Sequence, residues 1–456
     1  MTPGPGRHLA RLGAALAGGA AWLAQAQTPT APPQRIEVQG QALGAVDERR
    51  LSLQMMTVVD RDELDAYGDS SVLDVLQRLP GVSLDGDQPR LRGLGGGYTQ
   101  ILLNGEPAPP GFSLEQLAPG DIERIEIIKG PSAEFGGVAG TINVILRVAP
   151  RTRQREWRAT LSYRSARPVG STTLSWGDRI GAVGLQLPLS AYQWAGANRS
   201  TTDRISRDSV GAVRAVQVQG QDQWHGGGFN TAPRLEWKLS ERHALNWTSF
   251  LQGQTWGNGN QRQHRLLQGP ALAIDDETTR AWGRWQLGRT QWQWTQRDPD
   301  GSRLEAKAGV QGSQGRSHVS YDGRPGSNGP LHRETEADNR ESRTWGGLKA
   351  RWPLSEGHVL VTGWDLERRS RHELRRVREN GVELLTPSQG VPFDVTLQRQ
   401  VLFAQDEWSV SPRLSAQLGL RAEHLQTRSA SVDRDVQARS TVVTPIAQAR
   451  WALDDK

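Results

Sequence analysis

The chain has 456 residues, room for two or three domains, with no Cys, 51 Gly, 17 Trp and a formal net charge of +6. The lack of Cys excludes a disulfide scaffold and thiolate metal sites, and suits a protein exported into an oxidising compartment. No run of about 18 apolar residues is present, which excludes a membrane-crossing helix but not strands with every second residue apolar.

Residues 1–26 read as a secretory signal: Arg7, His8 and Arg11, then the small apolar stretch Leu12–Leu23, then Ala24-Gln25-Ala26 as a cleavage pattern. A flexible leader follows over 27–45, rich in Pro at 29, 32 and 33. It carries one short alternating segment, Arg35-Ile36-Glu37-Val38-Gln39-Gly40. From 46 to 150 the pattern predicts a compact α+β unit. Met56–Val59 reads as a strand, and Asp60–Leu64 opens a helix with acids in its first turn. Ser70–Leu79 is an amphipathic helix, capped by Ser70 or Ser71 and ended by Pro80-Gly81. Short strands are expected at 82–84, 89–91 and 101–103, with Asn104-Gly105 as a hairpin turn. A helical turn at 113–117, a strand at 122–128, a glycine-rich bend at 130–140 and a closing strand at 141–146 complete the unit.

From 151 to 456 the composition changes. All Trp but Trp22 lie between Trp157 and Trp451, and apolar and polar residues alternate, as in Leu414-Ala416-Leu418-Leu420-Ala422. About twelve strands are expected, with aromatic rings at segment ends, as lipid-facing barrels place them at headgroup level. Short turns are expected at 177–179, 240–242, 298–301, 355–357 and 411–412. Long polar loops are expected at roughly 196–230, 255–279, 312–343, 369–397 and 426–440. Twelve tilted strands close with a radius near 12 Å, whereas a plug of this size needs about 17 Å, so a wall of about 22 strands is expected. On that reckoning the chain encodes about half of an antiparallel transmembrane β-barrel, as a truncated sequence.

Four ordered motifs carry a family resemblance. Ser71–Leu76 with Leu79-Pro80-Gly81-Val82, Arg92-Gly93 with Ile101–Gly105, Ile122–Glu126 with Lys129-Gly130-Pro131, and Phe135-Gly136-Gly137 with Gly140–Ile145 resemble the plug domain of TonB-dependent outer-membrane receptors. The resemblance implies a plugged barrel, exported to the outer membrane, that imports a scarce ligand, with a ferric siderophore first among several cargoes. It implies that Ile36-Glu37-Val38 is the TonB box, gripped by a TonB-type energy transducer through strand addition. A first strand of the plug is the competing reading of that segment. It further implies that Arg92, Glu123, Arg124, Glu126 and Lys129 lock the plug to the wall, against solvated strand charges as the alternative. Arg90, Tyr98 and Phe112 are the expected ligand contacts at the plug apex, although Tyr98 and Phe112 equally suit plug packing.

No enzyme is expected: the nine His lack metal spacing, no Gly-x-Ser-x-Gly occurs, and the bend at 130–140 lacks the Gly-Lys-Ser/Thr of a phosphate loop. No cofactor or metal is expected either. Arg368, Arg369, Arg371, Arg375, Arg376 and Arg378 lack the interleaved aromatics of a nucleic-acid binder. They read as solvated charge or as contacts for lipopolysaccharide phosphates or an anionic chelate. A binding or adhesion barrel with a static plug is the alternative function.

Overall fold

The computed structural model describes residues 56–451 apart from 66–71, 80, 86–87, 92–98, 109–113, 115–121, 130–132, 135–139, 148–152, 165–166, 208–210, 326–328, 356, 385–391, 412 and 432–433. The signal and leader expected before residue 46 lie outside the described residues.

The N-terminal elements are β1 (Met56–Val59), α1 (Arg61–Asp65), α2 (Val72–Arg78), β2 (Val82–Asp85), β3 (Gln88–Leu91), β4 (Thr99–Leu103), β5 (Glu106–Pro107), β6 (Ile122–Lys129) and β7 (Gly140–Leu146). Asp60 caps α1, its Oδ1 accepting from the Glu63 amide at 3.0 Å. Helix α2 buries Val72, Leu73, Val75 and Leu76, spaced i, i+1, i+3, i+4, while Asp74, Gln77 and Arg78 stay exposed. That face packs on Ile125 and Ile127 of β6 and on Ile142 and Val144 of β7, all fully buried. Each such side chain contributes about 1.5–3 kcal/mol of burial.

The sheet runs β1-β6-β7-β4-β5, with β4 parallel to β7 and the other neighbours antiparallel. Asn104 and Gly105 both take positive φ (51° and 78°), the backbone that a two-residue turn of a right-twisted hairpin demands. Asn143 fixes this turn in space. Its Oδ1 accepts from the Gly105 amide at 2.9 Å, and its Nδ2 donates to Glu126 Oε2 at 2.8 Å.

The rest of the chain is one antiparallel sheet. Its strands are β8 (Gln154–Arg164), β9 (Arg167–Ile180), β10 (Val183–Arg207), β11 (Val213–Thr231), β12 (Arg234–Lys238), β13 (His243–Gln268), β14 (Ile274–Arg297), β15 (Arg303–Pro325), β16 (Leu331–Ser355), β17 (His358–Glu379), β18 (Val382–Glu383), β19 (Phe393–Ser409), β20 (Leu414–Ser431) and β21 (Asp435–Trp451). Twelve of them follow one path in chain order from β8 to β21. Strand β12 continues β11 beyond Pro233, and β18 folds back on β17. Among the described residues β8 and β21 are the edges of this path.

Period-two alternation gives the sheet two unlike faces. One cross-strand row reads Leu245, Trp294, Ala306, Leu348, Trp364, Leu402, Ala422 and Val443 on eight neighbouring strands. Every residue in it is apolar, and Leu348, Trp364 and Leu402 are exposed. One residue along, the row on the other face is Gln293, Lys307, Gly347, Asp365, Val401 and Glu423. Exposed Trp237, Trp352 and Trp408 stand next to the short turns, where an aromatic girdle meets the membrane surface.

The turns expected at 240–242 and 298–301 fall between strands, and those expected at 355–357 and 411–412 fall at the β16–β17 and β19–β20 junctions, with Ser355 still paired to His358. Residues 177–179 do not form a turn. They lie inside β9, where Asp178 pairs with Arg153 and Arg179 with Glu236, and the chain reverses at Gly181-Ala182. The five long polar stretches are mostly strand rather than loop: β10 runs for 25 residues and β13 for 26, where about 9–11 cross a bilayer. Antiparallel pairing continues past the apolar band because its polar side chains meet across strands, as in Arg316–Asp338 (2.8 Å) and Arg369–Glu341 (2.8 Å).

On the β15–β16 hairpin, far from the short turns, His332 Nδ1 lies 2.7 Å from Asp322 Oδ1. That hydrogen bond raises the imidazole pKa above 6.5. The raised value means the contact is fully formed below the unfolded pKa and fades as pH rises through the folded one. A histidine NMR titration should show His332 with a midpoint above 6.5, and Asp322→Asn should bring it down; an unchanged midpoint in the variant refutes the pairing.

Candidate functional site at the plug–wall interface

The site centres on Glu106, the first residue of β5, directly after the pinned Asn104-Gly105 turn. Its side chain is only 6% exposed and faces three cations of the wall: Lys307 Nζ at 2.7 Å, Arg343 Nη2 at 3.7 Å and Arg289 Nη2 at 3.9 Å. Arg289 also donates to the Pro107 carbonyl at 2.7 Å. These cations come from β14, β15 and β16 and share the face opposite the Trp294 row.

Wall carboxylates balance the cluster, Glu367 lying 2.8 Å from Arg343 and Asp365 3.3 Å from Lys307. The guanidinium groups of Arg289 and Arg343 stand 4.8 and 4.6 Å from the centroid of the Trp345 indole, whose Nε1 donates to Gln291 Oε1 at 3.1 Å. The ring sits flat over Gly309, where a Cβ would come within 2.2 Å of Cζ2.

A second bridge joins the bend near residue 134 to the wall. Lys349 Nζ reaches Glu134 Oε1 at 2.6 Å, and Arg421 Nη1 donates to the Ala133 carbonyl at 2.8 Å. Ala133 is fully buried against Val361, Val401, Phe403 and Ile446 of the wall. A third contact is Arg234 Nη1 to the Arg147 carbonyl, 2.8 Å. Between the two ionic bridges lies a polar cavity of about 160 Å³, lined by Leu102, Glu106 and Glu134 from one side and by Lys307, Arg343 and Arg399 from the other. Among the described residues the interface is held by ion pairs around a small apolar patch.

Among the residues expected to lock the plug to the wall, Glu123, Arg124 and Glu126 have partners inside the small domain. Arg124 pairs with Glu126 at 2.8 Å, Glu126 also accepts from Asn143, and Glu123 lies 3.7 Å from Arg147, all within the small domain. Lys129 closes β6 opposite Gly140, its side chain outside the described residues, as is Arg92. Arg90 lies on β3 opposite Ser83, half-buried. Tyr98, Phe112 and Ile36-Glu37-Val38 lie outside the described residues.

Neither Glu106 nor Glu134 lies in a motif that marks it in the sequence. The available signal for Glu106 was a lone acid in the run Gly105-Glu106-Pro107-Ala108-Pro109, directly after a hairpin turn.

Residues 48–141 match the TonB-dependent receptor plug domain, and residues 240–456 match the TonB-dependent receptor-like β-barrel. The chain belongs to the TonB-dependent receptor family, with the small domain as its plug and the long strands as barrel wall. A vitamin B12 transporter, BtuB, of Vibrio vulnificus is 34% identical over 102 residues, 20% of this chain and 17% of that protein. An iron-regulated outer membrane virulence protein of Vibrio cholerae is 33% identical over 120 residues, 22% of this chain and 18% of that protein. The matched stretches thus span under a fifth of these relatives. Among solved structures, BauA, the ferric preacinetobactin receptor of Acinetobacter baumannii, superposes with a TM-score of 0.51 at 14% identity, over 89% of this chain and 62% of that one. The ferripyoverdine receptor of Pseudomonas aeruginosa gives 0.52 at 14% identity, over 89% and 56%.

Proposed function

We propose that this chain is an energy-coupled outer-membrane receptor that imports a scarce ligand through a plugged β-barrel, a ferric siderophore before cobalamin, haem or an oligosaccharide. Family membership supports the class, and the names of the iron-regulated relative and of the two siderophore receptors of like fold motivate the cargo. The observation that carries the mechanism is Glu106 held among Arg289, Lys307 and Arg343, because a plug fastened by ion pairs is released by separating a few charges. In this reading residues 1–26 direct export and a periplasmic TonB-type transducer grips Ile36-Glu37-Val38. Its pull is delivered to the plug, and ligand is met at the apex by Arg90, Tyr98 and Phe112.

Deleting residues 34–40 in a complete receptor carrying this plug should abolish uptake and growth under iron limitation while ligand still binds. If uptake persists, energy coupling through this segment is wrong and a binding barrel with a static plug takes its place.

A further inference from the structure

Far above the plug contacts, the face of the wall that bears Arg289 and Lys307 brings together His264 of β13, Glu277 of β14 and Tyr321 of β15. Each lies an odd number of residues from the apolar row on its own strand (Leu245, Trp294 and Ala306), and the registers run unbroken from that row to the cluster. Glu277 is seventeen residues along β14 from Trp294. At about 3.3 Å per residue and a tilt of about 40° that is a rise of about 40 Å, against an apolar band about 25 Å tall. The cluster therefore stands clear of lipid, at the end of the wall remote from the short turns.

Tyr321 Oη donates to Glu277 Oε2 at 3.0 Å, and His264 Nε2 lies 3.9 Å from Glu277 Oε1. Both reach the carboxylate diagonally, because Glu277 stands opposite Arg262 and Gly323, two residues from His264 and Tyr321. A Cβ on Gly323 would come within 3.3 Å of the Tyr321 hydroxyl oxygen, so the glycine leaves the phenol room beside Glu277. The flanking cations have carboxylates of their own. Arg262 lies 2.8 Å from Asp222, and Arg333, opposite Tyr321, donates to Glu379 at 3.0 Å. Three carboxylates against two guanidinium groups leave one net negative charge. The side chains of His264 and Glu277 are 17% and 30% exposed, screened yet open to an entering ion.

A phenol, a carboxylate and an imidazole offer two hard oxygen donors and one nitrogen. A small octahedral ion with donors about 2.1 Å away sets adjacent donors about 3 Å apart. The Tyr321–Glu277 spacing already has that value, and His264 attains it by moving about 1 Å. Once the phenol is ionised, two negative oxygens face the metal, which favours a trivalent ion over a divalent one by Coulomb attraction.

We infer that His264, Glu277 and Tyr321 bind the ferric ion of a chelate whose own donors leave coordination positions open. Each of the three displaces one labile water or weakly held chelator atom. The phenol proton passes to solvent as the Tyr321 oxygen bonds to iron, and the iron stays ferric throughout. The inference rests on the ferric cargo proposed above and needs neither the transducer nor movement of the plug.

The chain in zwitterionic detergent is titrated with ferric nitrilotriacetate, a weak chelate of slight visible absorption. One iron per chain is expected, with a visible phenolate-to-iron charge-transfer band. Tyr321→Phe should abolish the band, and Tyr321→Phe and Glu277→Gln should each weaken binding about tenfold or more. His264→Ala should weaken binding and shift the band without abolishing it. Gallium nitrilotriacetate should compete, whereas zinc should not. Near-UV circular dichroism checks that each variant is folded, and Tyr321→Phe, which keeps the ring, is the decisive one. A band that survives in Tyr321→Phe overturns the site, as does wild-type affinity in Glu277→Gln, displacement of iron by an equal concentration of zinc, or no band in the wild-type chain. Should any of these occur while deletion of residues 34–40 still abolishes uptake, the import reading stands and only the direct contact with the metal is lost.

Discussion

Glu106→Gln is expected to loosen the plug more than any other single substitution in the described residues. The amide keeps the shape of the side chain but leaves Arg289 and Arg343, each about a tenth exposed, without their shared carboxylate. Breaking a buried ionic cluster at one partner costs about 3–5 kcal/mol. Lys307 is about a third exposed and keeps Asp365, which places the cost near the lower end. Three kcal/mol multiplies the displaced population by about 10². Because the chain has no Cys, a single Leu102→Cys in the plug–wall gap reports displacement by its thiol-labelling rate. Labelling should accelerate about a hundredfold in the Glu106→Gln background; equal rates would show that the cluster does not hold the plug.

Gly309→Ala is the second large effect. Its new methyl would overlap the Trp345 indole and push it out of its contacts with Arg289 and Arg343. Overpacking of this kind costs about 1–3 kcal/mol, and each displaced cation–π contact adds about 0.5–2 kcal/mol. Thermal unfolding should fall accordingly in the single variant. In a Trp345→Leu background the same methyl meets no indole, so the two changes should be strongly non-additive. If Gly309→Ala lowers the unfolding temperature equally in both backgrounds, the indole contact is not the cause.

What could be read in advance followed the range of the interactions concerned. The Asn104-Gly105 turn, the apolar face of α2 and the alternation along β20 were legible because each is decided within a few residues, by backbone preference or by period. The charges of β6 were legible as charges, whereas their partners depend on neighbouring strands: Glu126 meets Arg124 two residues away and Asn143 on the adjacent strand. The long polar stretches read as loops because polarity alone does not separate a loop from a strand whose polar side chains pair across the sheet. Cross-strand pairs such as Arg316–Asp338 instead keep those segments extended. Glu106 was invisible for the opposite reason, since Arg289 lies 183 residues further along the chain and only the registers of β14, β15 and β16 gather its three cations.

The sequence by itself determined a small α+β domain followed by strands with one apolar face, and through four local motifs the family to which they belong. Tertiary structure alone decided which acid fastens the plug and that Trp345 stands against two guanidinium groups. Periodicity and turn chemistry are local, whereas a buried charge is defined by whatever distant residues the sheet register brings beside it.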